Sequence, residues 1–300
     1  MSERETWRET LSVEAYAAMD RLATLLPERW GRRLFEAGGS AAYRFAPGAR
    51  RTVQENLARV LGHRPTSELV ERTAREAFRS YARYWHETFL IRELPRERFL
   101  DRFTAIGREH LDAAADRGTG GLLALPHLGN WDAAGRWVAE IGYGITAVAE
   151  ELKPPRMYRM FYGHRRRLGM DIVPLSETGK VGQALLKRLA RNEFIALVCD
   201  RDLKGTGVEV EMFGETRRLP AGPALLSLAS GSPLLPCATF DTEDGWGCVI
   251  HPPLEIERTG VMRDDVTALT RQLAESFERD IGARPVEWHM FQPAWNGTPG

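Results

Sequence analysis

The sequence predicts an α/β fold with a mainly parallel central sheet, helices on both of its faces, and N-terminal helices packed against it. From about residue 100 onwards, short apolar runs alternate with amphipathic helical patterns. Such alternation favours a parallel sheet, because each helix returns the chain to the same edge of the sheet. Residues 1–95 show helical patterns only. No linker or internal repeat divides the chain, so we expect one domain over 1–300.

Within that domain, residues 1–95 form a helical part that we expect to face a membrane, and 96–300 form the α/β core. Helical periodicity indicates three N-terminal helices. They are predicted at 11–26, 53–61 and 67–90. Pro27 ends the first helix, and Thr66 or Ser67 is a suitable N-cap for the third.

The segment between the first two predicted helices is strongly basic. Residues 29–51 contain six arginines against one acidic residue, Glu36, and aromatic residues lie among them. The arginines are Arg29, Arg32, Arg33, Arg44, Arg50 and Arg51, and the aromatic residues are Trp30, Phe35, Tyr43 and Phe45. This mixture is typical of a surface that rests on anionic lipid. It is equally typical of a solvated helix face whose aromatic residues belong to the core, and both interpretations stay open.

The core elements follow from the apolar pattern. Strands are predicted near 102–106, 121–126, 144–149, 171–175, 194–199, 208–213, 233–240 and 246–251. Helices are predicted near 107–117, 131–142, 154–168, 179–191, 221–230 and 262–282. The uncharged run 219–240 is long enough to suggest a membrane span, but its four prolines and two glycines indicate turn, helix, turn and strand instead.

Composition excludes several classes of protein. The chain has 300 residues, 43% of them hydrophobic, and a formal net charge of zero, so nothing suggests a nucleic-acid partner. Cys199, Cys237 and Cys248 show neither disulfide nor zinc spacing, which favours a reducing compartment. The charged first ten residues have no apolar stretch typical of a signal peptide.

The most informative stretch is the apolar run 122–126 with the turn and helix that follow it. His127 stands directly after the predicted strand, and Asp132 opens the next helix. Polar residues at the carboxyl ends of strands lie where α/β folds bind ligands. A histidine beside a carboxylate can take a proton from a hydroxyl. A turn histidine bonded to backbone, with Asp132 favoured by the helix dipole, fits the spacing equally well.

Two other segments are candidates for binding anionic groups. Residues 162–169 contain His164 and three consecutive arginines beginning at Arg165, whose guanidinium groups suit phosphate. The same cations also suit a helix C-terminus, so this interpretation stays open. Residues 213–223 read as a loop that carries Arg218 into a helix N-terminus, and such an end can bind an anion.

Charged residues also end the apolar strand 194–199. Asp200, Arg201 and Asp202 follow it directly. Charge next to a buried strand is costly unless it is paired or used, which favours a functional role over a structural ion pair.

Known catalytic motifs of other enzyme classes are absent from the sequence. There is no G-x-S-x-G nucleophile elbow, no dinucleotide-binding glycine pattern before a helix, and no H-E-x-x-H zinc motif. We therefore expect no metal and no bound cofactor.

With these residues in view, the chain resembles the bacterial acyltransferases of the lauroyl or lipid A type, whose His-x4-Asp/Glu motif corresponds to His127 and Asp132. It resembles more closely the phosphatidylinositol mannoside acyltransferases of that superfamily. The similar stretches are SYARYW (80–85), LALPHLGNWD (123–132), TAVAEELKP (146–154), DRDL (200–203), VEVEMFGE (208–215), RLPAGPA (218–224) and EWHMFQP (287–293). They follow one another across most of the chain.

The resemblance implies transfer of a palmitoyl-type chain from acyl-CoA, as co-substrate, to a mannose hydroxyl of a phosphoinositide glycolipid. It also implies a peripheral location at the cytoplasmic face of the bacterial inner membrane. His127 would be the general base, Asp132 would complete the motif, and Arg165 would hold a phosphate-bearing group. Further candidates for substrate binding are His164, Arg201, Glu150 and Arg218.

One position departs from the pattern of the relatives. Asp200 stands where they carry a glutamate thought to pair with the histidine. Since aspartate is one methylene shorter, either the pairing is looser here or Asp132 orients the imidazole instead. We expect an apolar groove for the acyl chain, walled by the aromatic helix at 80–90 or by the run 221–230. A different lipid acceptor, or a non-catalytic lipid-binding protein on the same scaffold, are the alternatives.

Overall fold

The strands of the computed structural model follow the apolar runs of the sequence. The structure describes residues 6–150, 153–175, 180–203 and 205–295. Its strands are β1 (Phe103–Ile106), β2 (Gly121–Leu125), β3 (Ile145–Glu150), β4 (Asp171–Leu175), β5 (Phe194–Val198), β6 (Val208–Met212), β7 (Glu215–Leu219), β8 (Leu234–Asp241) and β9 (Trp246–Ile250). All eight predicted strands are confirmed to within two residues, and β7 was not predicted.

The helices alternate with these strands after a helical N-terminal part. They are α1 (Trp7–Leu25), α2 (Glu28–Phe45), α3 (Pro47–Leu61), α4 (Glu68–Ile91), α5 (Arg96–Leu100), α6 (Arg108–Asp116), α7 (Trp131–Glu140), α8 (Pro155–Arg167), α9 (Val181–Leu189), α10 (Gly222–Ser230) and α11 (Met262–Ala283). The predicted start of α9 at residue 179 lies outside the described residues. A short 3-10 turn, Pro285–Glu287, follows α11.

Seven strands form one sheet in the order β1-β9-β8-β2-β5-β3-β4. All neighbouring pairs are parallel except β8 with β9. The reversal at β9 follows from its short connection to β8, since only antiparallel strands can be joined by a tight turn. The mainly parallel sheet predicted from the sequence is therefore confirmed.

Both faces of the sheet are covered, as the continuous apolar run of β2 requires. Leu122 and Ala124 belong to one buried cluster, which includes residues of α9 and α11. Leu123 and Leu125 point the other way into a second cluster, which includes residues of α6 and α7. Successive side chains of a strand alternate between faces, so every residue of β2 is buried.

The N-terminal helices pack on this core through α4. Helices α2 and α4 approach closely at Gly39, where an added Cβ would lie 2.5 Å from the carbonyl oxygen of Phe78. Two contacts join α4 to the sheet. Arg83 forms an ion pair with Asp241 at the end of β8, and the indole N–H of Trp246 on β9 donates to Glu87 at 2.8 Å. Buried polar contacts of this kind fix α4 against the α/β core.

The N-terminal elements differ from prediction in extent. The basic segment is largely helical as α2, α3 begins before residue 53, and α5 was not predicted. Ser67 caps α4 as expected, because its hydroxyl accepts from the Val70 N–H at 3.3 Å. Among the described residues, no helix has both the length and the apolar character to cross a bilayer.

The loop predicted at 213–223 is wrong in its first half. Residues Glu215–Leu219 form β7, which pairs with β6 as an antiparallel hairpin apart from the main sheet. Phe213 and Gly214 make the two-residue turn, both with positive φ, at 54° and 74°. Such turns usually carry Asn-Gly or Asp-Gly, so a phenylalanine there hides the signal. The Phe213 ring packs against Trp295, 6.2 Å between centroids.

Candidate active site

The site lies at the carboxyl ends of the neighbouring strands β2 and β5. These strands pair in parallel, with Leu125 opposite Val198. Two residues further along each chain stand His127 and Asp200, so the register brings these two side chains together at one edge of the sheet. Nδ1 of His127 lies 2.5 Å from Oδ1 of Asp200. The shorter aspartate therefore reaches the imidazole, and the looser pairing considered from the sequence is not observed. His127 and Asp200 are called the dyad below.

Asp200 is fully buried and satisfied by several donors. Its Oδ2 accepts from the backbone N–H of His127 at 3.1 Å and from the indole N–H of Trp288 at 2.8 Å. Arg217 donates to the backbone oxygen of the same residue. Burial alone would raise the pKa of Asp200, but His127, Trp288 and Arg217 lower it to about 2. The carboxylate is therefore ionised at neutral pH.

An ionised carboxylate only accepts hydrogen bonds, so it fixes the tautomer of the imidazole. Nδ1 of His127 carries the proton and donates it to Asp200, which leaves Nε2 with a free lone pair. The His127 side chain is 28% exposed, and its ring meets Trp131 edge to face, 5.5 Å between centroids. A substrate hydroxyl can thus reach a nitrogen that is ready to accept its proton.

The turn between His127 and α7 depends on Gly129. Its φ is 56°, and an added Cβ would lie 2.5 Å from the carbonyl oxygen of Thr239 on β8. Only glycine fits this backbone conformation and this approach. Asn130 then caps α7, because its side chain accepts from the Ala133 N–H at 3.0 Å.

Asp132, five positions after His127, faces a different partner. The start of α7 turns its buried carboxylate towards α4 and α8, where it accepts from Nε of Arg165 and from the hydroxyl of Tyr84, both at 2.8 Å. Burial opposes ionisation of Asp132, yet Arg165, His164 and Tyr84 together lower its pKa below the usual value. Asp200, not Asp132, orients His127.

An apolar cavity of about 50 Å³ lies between α7 and one face of the sheet, and neither His127 nor Asp200 lines it. Trp131 and Asp132 line it on the α7 side, and Leu125 and Val198 line it on the sheet side. Neither helix 80–90 nor the run 221–230 contributes to its lining. The cavity therefore lies in a place that the sequence did not indicate.

Comparison with known proteins shows the family of this chain. Residues 5–297 match the family described as bacterial lipid A biosynthesis acyltransferase. The chain belongs to that family. A phosphatidylinositol mannoside acyltransferase of Mycolicibacterium smegmatis is 40% identical over 282 residues, which cover 93% of this chain and 90% of the relative. Another, from Mycobacterium tuberculosis, is 40% identical over 298 residues, covering 97% and 91% respectively.

The structure of this acyltransferase-family chain distributes the predicted substrate-binding residues unevenly. Arg201 follows β5 and forms an ion pair with Glu150 at the end of β3, at the same edge of the sheet as the dyad. His164 is buried, with neither ring nitrogen hydrogen-bonded, and lies against the Phe89 ring at 6.2 Å. His164 is therefore an interior residue.

Arg218 and its neighbour Arg217 face opposite ways because β7 is a strand. Arg218 is exposed and donates to the carbonyl oxygen of Gly205 at 2.6 Å. Arg217 is buried, and it is the one that reaches Asp200. Burial lowers the pKa of Arg217 to about 10, with Asp200 limiting the drop. Arg218 was predicted as the binding residue with the segment read as a loop, and the alternation of strand β7 turns it outwards.

Sequence reasoning also missed Trp288, His289 and Tyr84 as parts of the site. The resemblance quoted their stretches without assigning them a role. Their importance follows from long-range contacts: His289 donates its backbone N–H to the His127 carbonyl at 2.7 Å, and Tyr84 packs on Trp131, 4.4 Å between centroids. No local sequence pattern predicts such contacts, although the dense aromatic run at 80–89 and the Trp-His pair near residue 288 stand out in composition.

Proposed function

We propose that this protein transfers a palmitoyl-type chain from acyl-CoA to a mannose hydroxyl of a phosphatidylinositol mannoside, with His127 as general base. The observation that carries the proposal is the dyad: a partly exposed imidazole held by a buried carboxylate. The His127 ring contacts Trp131, which in turn lines the apolar cavity. The acceptor is suggested by the names of the two relatives.

The reaction needs only the dyad and correct placement of two substrates. Nε2 of His127 takes the proton of the sugar hydroxyl while its oxygen attacks the thioester carbonyl. The tetrahedral intermediate collapses, the carbon–sulfur bond breaks, and the imidazolium returns its proton to the leaving thiolate. Asp200 stabilises the imidazolium throughout. General-base help contributes roughly 10²–10⁴-fold, and positioning contributes several kcal/mol more. Catalysis without a metal stays a prediction.

The apolar cavity is the candidate entrance for the acyl chain. Ligand pockets are usually about 300–1,000 Å³, so a cavity of about 50 Å³ must widen to hold a long chain. Met170 and Gly135 form part of its wall, and the methionine sulfur packs against Gly135 where any larger residue would place its Cβ. Methionine adapts its shape readily, which suits a wall that must move.

Arg165 is the candidate for holding a phosphate-bearing group, with Asp132 fixing its orientation through Nε. Arg201 and Glu150 would contact the acceptor headgroup at the rim, since both stand at the edge of the sheet that carries the dyad. Arg218 would add positive charge at the hairpin. His164 would act only indirectly, because it is buried beside Arg165 and does not reach the substrate itself.

The proposed location of the protein is the cytoplasmic face of the inner membrane, where it would contact anionic lipid. The described part of α1 and α2 exposes large apolar side chains, and exposed arginines lie among them. The apolar side chains are Trp7, Leu11, Leu22, Leu25, Trp30, Leu34 and Phe45. Phe35, in contrast, is buried. An amphipathic surface with this composition supports binding to anionic lipid.

The test is an acyl-transfer assay with purified protein, acyl-CoA and three acceptors: a phosphatidylinositol mannoside, a lysophospholipid and a lipid A precursor. We expect an acylated mannoside, identified by mass. His127→Ala should lower the rate by at least about 10³-fold with an unchanged thermal unfolding midpoint. Preference for another acceptor would replace the substrate assignment. No transfer to any acceptor would contradict the proposed activity and leave a lipid-binding protein.

A further inference from the structure

A short segment late in the chain holds both members of the dyad from one side. Residues 287–289, called the clamp segment here, make three hydrogen bonds with the site. The carbonyl of Glu287 accepts from the Gly129 N–H at 3.0 Å, and the backbone N–H of His289 donates to the His127 carbonyl at 2.7 Å. Together these two bonds form the antiparallel β-bridge between Leu128 and Trp288. The Trp288 indole donates to Asp200 at 2.8 Å.

The clamp segment is itself fixed by other elements of the fold. The Glu287 carboxylate accepts from the backbone N–H of Asp241, at the end of β8, at 3.0 Å. The His289 ring meets the Ser80 hydroxyl of α4 at 3.1 Å. Just beyond the segment, Asn56 of α3 donates to the Met290 carbonyl at 3.0 Å. Three separate elements therefore hold the indole of Trp288 in place.

We propose that Trp288 is a positioning residue for acyl transfer, acting through Asp200. The indole N–H fixes one carboxylate oxygen, so that the other oxygen faces Nδ1 of His127. Trp288 touches neither substrate in this role. The inference rests on the proposed function, because it assigns the orientation of the dyad on which that function depends.

The geometry explains why an indole suits this position. The Trp288 side chain is almost fully buried, and its N–H donates to one acceptor, the carboxylate of Asp200. A hydrogen bond to a charged group is among the stronger ones in a protein interior. Without it, Oδ2 of Asp200 keeps only the long 3.1 Å contact with the His127 backbone. The carboxylate then gains freedom to rotate away from the imidazole.

The test compares Trp288→Phe with a matched control, Trp295→Phe. Trp295 is also buried, its ring lies 6.0 Å from that of Trp288, and its indole N–H has no hydrogen-bond partner. Both variants lose an indole of the same size from the same cluster. We expect Trp288→Phe to lower kcat about tenfold with unchanged KM for both substrates. Trp295→Phe should lower kcat by less than about twofold.

A double-variant cycle distinguishes positioning from a general packing effect. In the Asp200→Asn background, adding Trp288→Phe should cause no further loss of kcat, because the group on which it acts has gone. Equal losses in kcat for the two tryptophan variants, or losses that multiply with Asp200→Asn, would overturn the inference. If wild-type protein transfers no acyl chain, the proposed function fails instead, so the two failures are distinguishable.

An NMR measurement tests the contact between Trp288 and Asp200 in protein that keeps Trp288, so it does not require the Trp288→Phe variant to fold. The chain has eight tryptophans, which give separate indole N–H signals after ¹⁵N labelling. Replacing Asp200 by Asn should move one strongly downfield indole signal upfield, because its charged acceptor is lost. A set of indole signals that stays unchanged would contradict the contact itself.

Discussion

Two buried aspartates near His127 stand in contrasting surroundings. Asp200, at the end of β5, faces Nδ1 of the His127 imidazole. Asp132, at the start of α7, faces the guanidinium of Arg165, which neutralises it. Both carboxylates have lowered pKa values. The difference shows that a carboxylate serves proton transfer only if its partner can change protonation, whereas an arginine partner makes it a structural anchor.

The largest effect is expected where the carboxylate meets the imidazole. Asp200→Asn should lower kcat about 10³-fold, with little change in KM, because three donors converge on the carboxylate and an amide has one accepting oxygen. If the amide nitrogen turns towards Nδ1, the imidazole is held in the wrong tautomer. Steady-state kinetics on both substrates measures the effect.

The control for this variant is a second His–Asp contact far from the site. His251 follows β9, which runs opposite to β8, and its Nε2 lies 3.0 Å from Asp280. Asp280→Asn should keep kcat within about twofold of wild type. A loss of kcat in Asp280→Asn equal to that in Asp200→Asn would show that the assay reports stability and not proton transfer.

A smaller effect of another kind is expected at Asp132. Asp132→Asn removes the charge that compensates Arg165, and breaking a buried ion pair typically costs about 3–5 kcal/mol in free energy of unfolding. The loss of kcat in protein that remains folded should stay below about tenfold. Denaturant unfolding and kinetics at the same temperature check the two values.

Removing the cation as well should recover most of the stability. In the double variant Asp132→Asn/Arg165→Met, no uncompensated charge is left, so we expect a free energy of unfolding close to that of wild type. A kcat loss in Asp132→Asn as large as in Asp200→Asn, with unchanged stability, would instead assign proton transfer to both carboxylates.

The smallest effect is expected at Glu87, a third buried carboxylate. Its cation, Arg83, also pairs with Asp241. Burial and the charge of Asp241 raise the pKa of Glu87 to about 8, although Arg83 and Trp246 oppose this. A raised pKa means that the stabilising protonated form is fully present below about pH 4.5 and is lost as the pH rises through 8. Glu87→Gln keeps an oxygen for the Trp246 N–H and cannot become charged. At pH 9 its free energy of unfolding should therefore exceed that of wild type by on the order of 2 kcal/mol.

At pH 5 the same variant should match wild type, since Glu87 is then protonated. Unfolding curves at both pH values measure the difference, and transfer activity at pH 7 should stay within about twofold. Glu76→Gln, a partly exposed position on the same helix, serves as control and should show no such dependence. Parallel pH curves for wild type and Glu87→Gln would contradict the raised pKa.

Much of the fold was predictable because buried apolar residues recur in the sequence with the period of a helix or a strand. The strand at 121–126 was found from its apolar run, and the helix at 131–142 from the helical pattern that follows the turn. His127 and Asp200 were both recognised as polar residues at strand ends. The hairpin strand β7 was missed because its turn carries Phe213 in a conformation that usually selects asparagine or glycine.

The pairing within the site was not predictable from one sequence. Spacing suggested Asp132 as the partner of His127, whereas the family resemblance suggested Asp200, and both alternatives stayed open. The choice of Asp200 depends on β2 and β5 being neighbours in register, which no local pattern encodes. The same holds for Trp288, whose contact with Asp200 joins distant parts of the chain. The position of the cavity was missed for the same reason, since it depends on how α7 packs on the sheet.

The late place of the clamp segment in the chain has a consequence for biosynthesis. As the polypeptide emerges from the ribosome, β2 and β5 leave the exit tunnel well before Trp288. The imidazole and its carboxylate can therefore meet while the indole is still inside the tunnel. Under the proposed role of Trp288, the dyad gains its indole donor only after residue 288 has left the exit tunnel.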